Sequence, residues 1–189
     1  MRSKLATWRS QYPAPTASRE QNAAARAAED RWLAPFAGLD RLTRAQATAL
    51  VGWKFQSMPH RRARALEGIT PQRWKGDRET PGARDLIRRA LAAEDDHEAL
   101  NLIASQGGGI HRFGPAMGSA ILAACNPTRF TIADSRALNA LRKLRLMPAG
   151  PPTFRMQDWD GYLTACRGLA TSCRMSLRDV DRALWVAGA

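Results

Sequence analysis

The hydrophobic residues of this chain recur at helical spacing, and no pair of segments alternates apolar and polar residues as paired β-strands do. Leu86, Ile87 and Leu91 lie on one side of such a helical segment. Thr43, with Gln46 three residues later, has the spacing of a capping box at a helix start. The sequence therefore predicts an all-α fold.

Cap residues and helix breakers give approximate limits for the predicted elements. One helix is expected to begin at residue 43, and another over 81–93 with Thr80 as its N-cap. Further helices are expected over 19–32, 96–105, 115–125, 134–144, 156–173 and 177–187. An irregular N-terminal segment is expected over 1–18, where Pro13 and Pro15 forbid a regular helix. Residues 58–80 are expected to form a basic loop region with one short helix near 62–66, and residues 126–133 to be extended.

The charge of the chain indicates the kind of partner it binds. The 189 residues are enough for a single domain, which is expected over 1–189. They include 29 Lys and Arg and 17 Asp and Glu, which gives a formal net charge of +12. Because such an excess of one sign repels itself, it favours a polyanionic partner such as nucleic acid. The alternative interpretation is an Arg-rich composition of the kind that a high-GC genome produces.

Other classes of protein fit the sequence poorly. No stretch approaches the ~20 apolar residues of a membrane span, and no apolar core of a signal peptide follows the N-terminus. The three cysteines and three histidines lack metal-ligand spacing, so neither a zinc site nor a cofactor is expected. The cysteines are predicted to be reduced core residues. We expect a monomeric cytoplasmic protein associated with the nucleoid.

The most informative part of the sequence is a predicted helix, glycine-rich hairpin and helix over 96–125, followed by an extended segment that ends at Asp134. Helix amino ends and tight turns present unpaired N–H groups that bind phosphate, and glycine lets the backbone approach the phosphate closely. Such a surface reads the shape and backbone of DNA rather than its sequence. The candidate DNA contacts are Gly109, His111, Arg112, Gly114, Ala116 and Arg142, together with Arg61 and Arg62 of the basic stretch.

Residues 113–122 (FGPAMGSAIL), followed by 130–134 (FTIAD), resemble the signature of the helix-hairpin-helix DNA glycosylases, in the bacterial branch similar to 8-oxoguanine glycosylase. Asp134 lies 20 residues after Gly114, which matches the register of that family. The resemblance implies a helical barrel with a lobe from the terminal helices and, as partner, double-stranded DNA containing a modified base. It also implies a monovalent cation on the hairpin carbonyls.

The resemblance makes Asp134 the principal candidate catalytic residue. Cleavage of an N-glycosidic bond builds positive charge on the deoxyribose, and a nearby carboxylate stabilises that charge and orients or deprotonates a water molecule. The base must first be flipped out of the duplex. The alternative is that Asp134 is only a helix N-cap, one of the commonest roles of Asp.

The sequence departs from the family pattern at two hairpin positions. Ala116 replaces the lysine of the strand-cleaving members, so no Schiff base can form there and a monofunctional enzyme is predicted. Arg112 replaces the first hairpin glycine. These departures favour an alternative: a non-catalytic helix-hairpin-helix protein that binds DNA or senses lesions.

Two residues of the preceding helix remain candidates for the base pocket. Lys54 could supply the missing amine, against the more ordinary role of a surface or phosphate-contacting lysine. Trp53 could stack on a flipped base, against the more ordinary role of a core residue. The base itself is left open among oxidised, alkylated, deaminated and hypermodified bases.

Overall fold

The computed structural model describes residues 1–189 and contains eleven α-helices, with no strand beyond an isolated bridge between Gly76 and Pro81. The predicted all-α class is therefore confirmed. The helices are α1 (Arg2–Ser10), α2 (Arg19–Leu33), α3 (Arg44–Lys54), α4 (Pro59–Leu66), α5 (Pro71–Lys75), α6 (Ala83–Ala92), α7 (Asp96–Ile103), α8 (Pro115–Cys125), α9 (Ser135–Lys143), α10 (Trp159–Cys173) and α11 (Leu177–Ala187). Short 3-10 helices cover Ala34–Phe36, Glu67–Ile69, Ser105–Gly107 and Met156–Asp158.

Several helix starts follow the predicted capping chemistry. The Thr43 hydroxyl accepts a hydrogen bond from the Gln46 N–H, and the Gln46 side chain accepts one from the Thr43 N–H, which completes the capping box. Ser176 caps α11 by accepting from the Asp179 N–H at 3.0 Å. Pro115 is the first residue of α8, where its missing N–H costs no helical hydrogen bond.

Three boundary predictions are wrong. The N-terminal segment is irregular only over 11–18, because Arg2–Ser10 forms α1. The stretch 58–80 is largely helical rather than a loop, since Pro59 and Pro71 each begin a helix instead of breaking one. The N-cap of α6 is Gly82, not Thr80.

The chain divides into two compact units. The terminal unit comprises Met1–Ala37 and Pro127–Ala189, and the central unit comprises Gly38–Asn126. In the terminal unit α11 packs against α1, α9 and α10. Its core contains Leu5, Trp159 and Tyr162, all fully buried, so both ends of the chain belong to one hydrophobic core.

A network of charged side chains joins α2 to α11 in the terminal unit. Arg182, with only 3% of its side chain exposed, donates to Glu29 at 2.7 Å and also pairs with Asp30. Arg178 donates to Glu29 at 2.7 Å and to Asp181. Because the two arginines share the Glu29 carboxylate, these charges are compensated despite their burial.

The core of the central unit is built around α8, whose residues Met117–Cys125 are all buried. Helices α3, α6 and α7 pack against it. A Cβ atom on Gly118 would lie 2.9 Å from Leu100 of α7, so the small residue permits the close contact of the two helices that flank the hairpin. None of the eleven helices has the length and apolar character that crossing a bilayer requires.

Candidate nucleic-acid interface

The loop between α7 and α8 is a tight hairpin held by its own backbone. The Ile110 N–H donates to the Ile103 carbonyl at 2.9 Å, and the Ser105 N–H donates to the Phe113 carbonyl at 2.7 Å. Ile110 and Phe113 are buried beneath the turn. A Cβ atom on Gly109 would lie 2.6 Å from the Ile103 carbonyl carbon, so this predicted DNA contact serves the packing of the hairpin.

Arg112 adopts a left-handed conformation at the tip of the hairpin, with a φ of +66°. The left-handed region is the one that glycine enters without steric cost. The Phe113 N–H donates to the Ile110 carbonyl at 3.0 Å, which closes the turn around Arg112. The hairpin therefore keeps a backbone geometry suited to glycine while carrying an exposed guanidinium.

The amino end of α8 follows directly. Gly114 is the N-cap and has no side chain to satisfy the first amides, and the N–H groups of Gly114 and Ala116 make no hydrogen bond within the chain. A Cβ atom on Gly114 would meet nothing within 4 Å, so this end of the helix is open. Unsatisfied N–H groups and the positive end of the helix dipole together favour a phosphate.

The 3-10 turn after α4 packs directly on the hairpin. A Cβ atom on Gly68 would lie only 2.1 Å from the His111 carbonyl oxygen, so glycine is required for the contact. Partial desolvation and the positive charges of Arg73, Arg112 and Arg64 lower the pKa of His111, while Glu67 opposes them. We call these five residues, Arg64, Glu67, Arg73, His111 and Arg112, the hairpin cluster.

All five side chains of the hairpin cluster are exposed. Arg112 Nε lies 3.2 Å from Glu67 Oε2, the one ion pair between the hairpin and the preceding turn. Arg61 and Arg62, both predicted contacts, are also exposed on α4. Arg64 and Arg73 of the basic stretch thus lie close enough to the glycine hairpin to act on it electrostatically, although the two features are separate in the sequence.

Arg64 and Arg73 were not among the predicted site residues. The basic composition of 58–80 pointed to contacts with a polyanion. A stretch interpreted as a loop, however, gives no basis for predicting which of its side chains share one exposed side. Once α4 and α5 are helices, burial of Ala65 and Trp74 determines which side of each helix is exposed.

Arg142 lies in the terminal unit and is committed to internal contacts. Only 10% of its side chain is exposed, and the guanidinium donates to the Pro148 and Pro151 carbonyls and to Asp158. It closes the proline-rich loop that follows α9. We therefore exclude Arg142 from the interface.

Asp134 is the N-cap of α9 in the terminal unit. Its Oδ1 atom accepts a hydrogen bond from the Arg136 N–H at 2.8 Å, and the residue is half-buried. The cap predicted as the alternative role is thus present, and it fixes the orientation of the carboxylate at the end of the segment 130–133.

Two hydrogen bonds hold the chain on either side of Asp134. The Tyr162 hydroxyl donates to the Ile132 carbonyl at 2.9 Å, and the Phe154 N–H donates to Ser135 Oγ at 3.2 Å. Burial raises the pKa of Tyr162 well above its usual value, and the negative charge of Asp134 contributes to the rise. Tyr162 is therefore a neutral hydrogen-bond donor that holds the segment leading to Asp134.

The remaining candidates occupy the end of α3, in the central unit. Trp53 and Lys54 are both half-buried in its last turn. Elsewhere the three cysteines are free and buried, and burial raises the pKa of Cys125 to about 12. No group of three or more His, Cys, Asp or Glu side chains is placed to hold a metal ion.

Comparisons with models of protein families, with curated proteins and with solved structures found no match to this chain. Its chemistry is therefore inferred from its own residues and their geometry.

Proposed function

We propose that this protein is a monofunctional DNA glycosylase that binds duplex DNA through the hairpin, flips out a modified base and hydrolyses its N-glycosidic bond with Asp134. The observation that carries the proposal is the surface of the central unit, where open amides at the start of α8 adjoin the hairpin cluster. The family resemblance of residues 113–122 and 130–134 supports the same function.

Binding would use phosphate contacts. The N–H groups of Gly114 and Ala116 donate to phosphate oxygens, and the glycine cap leaves space for the backbone of the DNA. Arg64, Arg73 and Arg112 neutralise neighbouring phosphates. Since none of these contacts depends on a particular base, the surface holds any duplex in register while a damaged nucleotide is tested for extrusion.

The chemical step would use the Asp134 carboxylate. As the bond between the anomeric carbon and the base breaks, its electron pair leaves with the base and positive charge develops on the sugar. The carboxylate stabilises that charge and takes a proton from the water that adds to the anomeric carbon. Ala116 offers no amine for a Schiff base, so the product is an abasic site in an intact strand.

A second candidate is a non-catalytic protein that binds DNA or senses lesions by the same surface. Two observations favour it: Ala116 lacks the amine of the strand-cleaving enzymes, and one oxygen of Asp134 already serves as the cap of α9. The two candidates share the binding surface and differ in the chemistry of Asp134 alone.

The substitution Asp134→Asn separates the two candidates. Asparagine is as good an N-cap as aspartate, so the variant keeps the start of α9 while losing the negative charge. We expect the wild type to release one class of damaged base from a panel of duplexes, read by alkali cleavage, and Asp134→Asn to lose at least ~100-fold in rate with unchanged DNA affinity. Absence of base release by the wild type on every duplex would favour the non-catalytic candidate.

Borohydride trapping on abasic DNA tests the remaining route, through Lys54. The expected result is no covalent adduct, because a hydrolytic enzyme forms no Schiff base. An adduct that Lys54→Ala abolishes would instead identify a bifunctional enzyme with Lys54 as its amine.

A further inference from the structure

Glu67 is the one acidic residue in the basic stretch from His60 to Lys75. Its carboxylate lies beside the hairpin, 3.2 Å from Arg112 Nε. An exposed carboxylate at the centre of a surface that binds phosphates should weaken that binding, because like charges repel.

The position of Glu67 is built into the fold. The next residue, Gly68, is buried against the His111 carbonyl, where a Cβ atom would lie only 2.1 Å from the oxygen. The partner of Glu67, Arg112, has a left-handed backbone conformation at the tip of the hairpin turn. Glycine would form this turn with less strain, but only the arginine places a cationic side chain there. Both partners are thus held by backbone geometry rather than by flexible loops.

The pair itself contributes little to the stability of the fold. The Arg112 and Glu67 side chains are 40% and 55% exposed, and ion pairs of this kind are largely compensated by solvation. A guanidinium prefers a carboxylate or a phosphate as partner, and the two anions accept from its N–H groups in the same way. A phosphate can therefore replace the Glu67 carboxylate as the partner of Arg112 at a small cost in free energy.

We propose that Glu67 occupies Arg112 as a phosphate would, so that DNA must displace its carboxylate to engage the hairpin. This inference rests on the proposed binding of DNA. Because the carboxylate must leave Arg112 before a phosphate can bind there, Glu67 lowers the affinity of the protein for duplex DNA of any sequence.

The test compares Glu67→Gln with Glu98→Gln. The second variant removes an equal charge from an exposed position on α7 of the same unit. Affinity for an undamaged duplex is measured by fluorescence anisotropy at several salt concentrations, with circular dichroism to verify the fold. We expect Glu67→Gln to bind roughly 3- to 10-fold more tightly, with a salt slope steeper by about one, and Glu98→Gln to change affinity less than 2-fold.

A double variant tests the role of Arg112. If Glu67 acts mainly by occupying Arg112, the gain from Glu67→Gln becomes much smaller in an Arg112→Ala background, where only relief of the repulsion between carboxylate and phosphate remains. A gain of undiminished size there, or equal affinities for Glu67→Gln and Glu98→Gln, overturns the inference while leaving DNA binding intact. Failure of wild type and both single variants to bind duplex at low salt overturns the proposed function as well.

Discussion

At the scale of single residues, the hairpin tip combines backbone strain with charge. Arg112, with its φ of +66°, is one of three non-glycine residues in the left-handed region, with Arg145 and Arg174. Non-glycine residues pay a steric cost in this region, and such strain concentrates at functional turns. An arginine at this position is explained if its guanidinium is needed at the surface.

Comparison of Arg112→Gly with Arg112→Ala separates strain from charge. Both variants lose the guanidinium, but only alanine retains the Cβ atom that disfavours a positive φ. We expect the glycine variant to be more stable than the alanine variant by about 1 kcal/mol in urea unfolding, and both to bind DNA equally weakly. Equal stability would show that the turn relaxes in the alanine variant.

His111 should make DNA binding depend on pH. Its pKa is lowered from the ordinary value of 6.5, so the side chain is neutral at pH 7 and gains its charge only at lower pH. A phosphate favours the protonated form, and DNA affinity should therefore rise as pH falls from 7.5 to 5.5. Anisotropy titrations should give a flatter profile for His111→Asn; an unchanged profile would assign the dependence to other groups.

At the scale of elements, the helices of the terminal unit are joined by charge as well as by apolar contact. Glu29 of α2 accepts from both Arg178 and Arg182 of α11, and the Tyr12 hydroxyl donates to the same carboxylate at 3.2 Å. The arginines hold the pKa of Glu29 below its usual value despite its burial, which by itself raises the pKa. Loss of one cation would leave a carboxylate that is poorly solvated.

The substitution Arg182→Met should therefore destabilise the protein strongly. Removing one partner from a buried ion pair typically costs about 3–5 kcal/mol. Because Arg178 still contacts Glu29, we expect a loss near the lower end of that range. The control is Arg41→Met, in an exposed pair with Asp40 whose side chains are 73% and 75% exposed. Chemical denaturation should show a change below about 1 kcal/mol for the control, and similar losses for both variants would contradict this role.

At the scale of the whole molecule, the net charge of +12 bears on the proposed binding of DNA. Some of the 29 basic side chains are neutralised within the fold: Arg142, Arg178 and Arg182 all have at most 17% of their side chains exposed and contact carboxylates. The α4, α5 and hairpin cations of the central unit remain exposed. The count of 29 basic residues thus overstates the number of cations that are available to phosphate.

The salt dependence of binding measures how many phosphates the protein neutralises. Each phosphate neutralised contributes a slope of about −0.9 to the plot of log affinity against log salt, so contacts from Arg64, Arg73 and Arg112 alone give roughly −3. We expect each of the three alanine variants to reduce the slope by about one, and Arg145→Ala, on the terminal unit, to leave it unchanged. A flat dependence in the wild type would remove DNA as a partner.

Helix starts were the features best predicted from sequence. Each correctly predicted helix start depends on residues at most three positions apart, so a short stretch of sequence is enough to predict it. These starts are Thr43 with Gln46, Ser176 with Asp179, and Pro115. The same locality explains the errors over 58–80. Pro59 and Pro71 are compatible with a break or with a first helical turn, and local sequence does not distinguish them.

The sequence by itself determined the helical class, the hairpin between α7 and α8, and the cap at Asp134, because each depends on neighbouring residues and on the backbone preferences of Gly and Pro. Only the tertiary structure decided which charges are available. Arg142 donates hydrogen bonds to carbonyl groups of the loop that follows its helix, and Glu67 pairs with Arg112, which lies 45 positions away in the chain. Such pairings depend on how separate helices pack, and no local pattern encodes them.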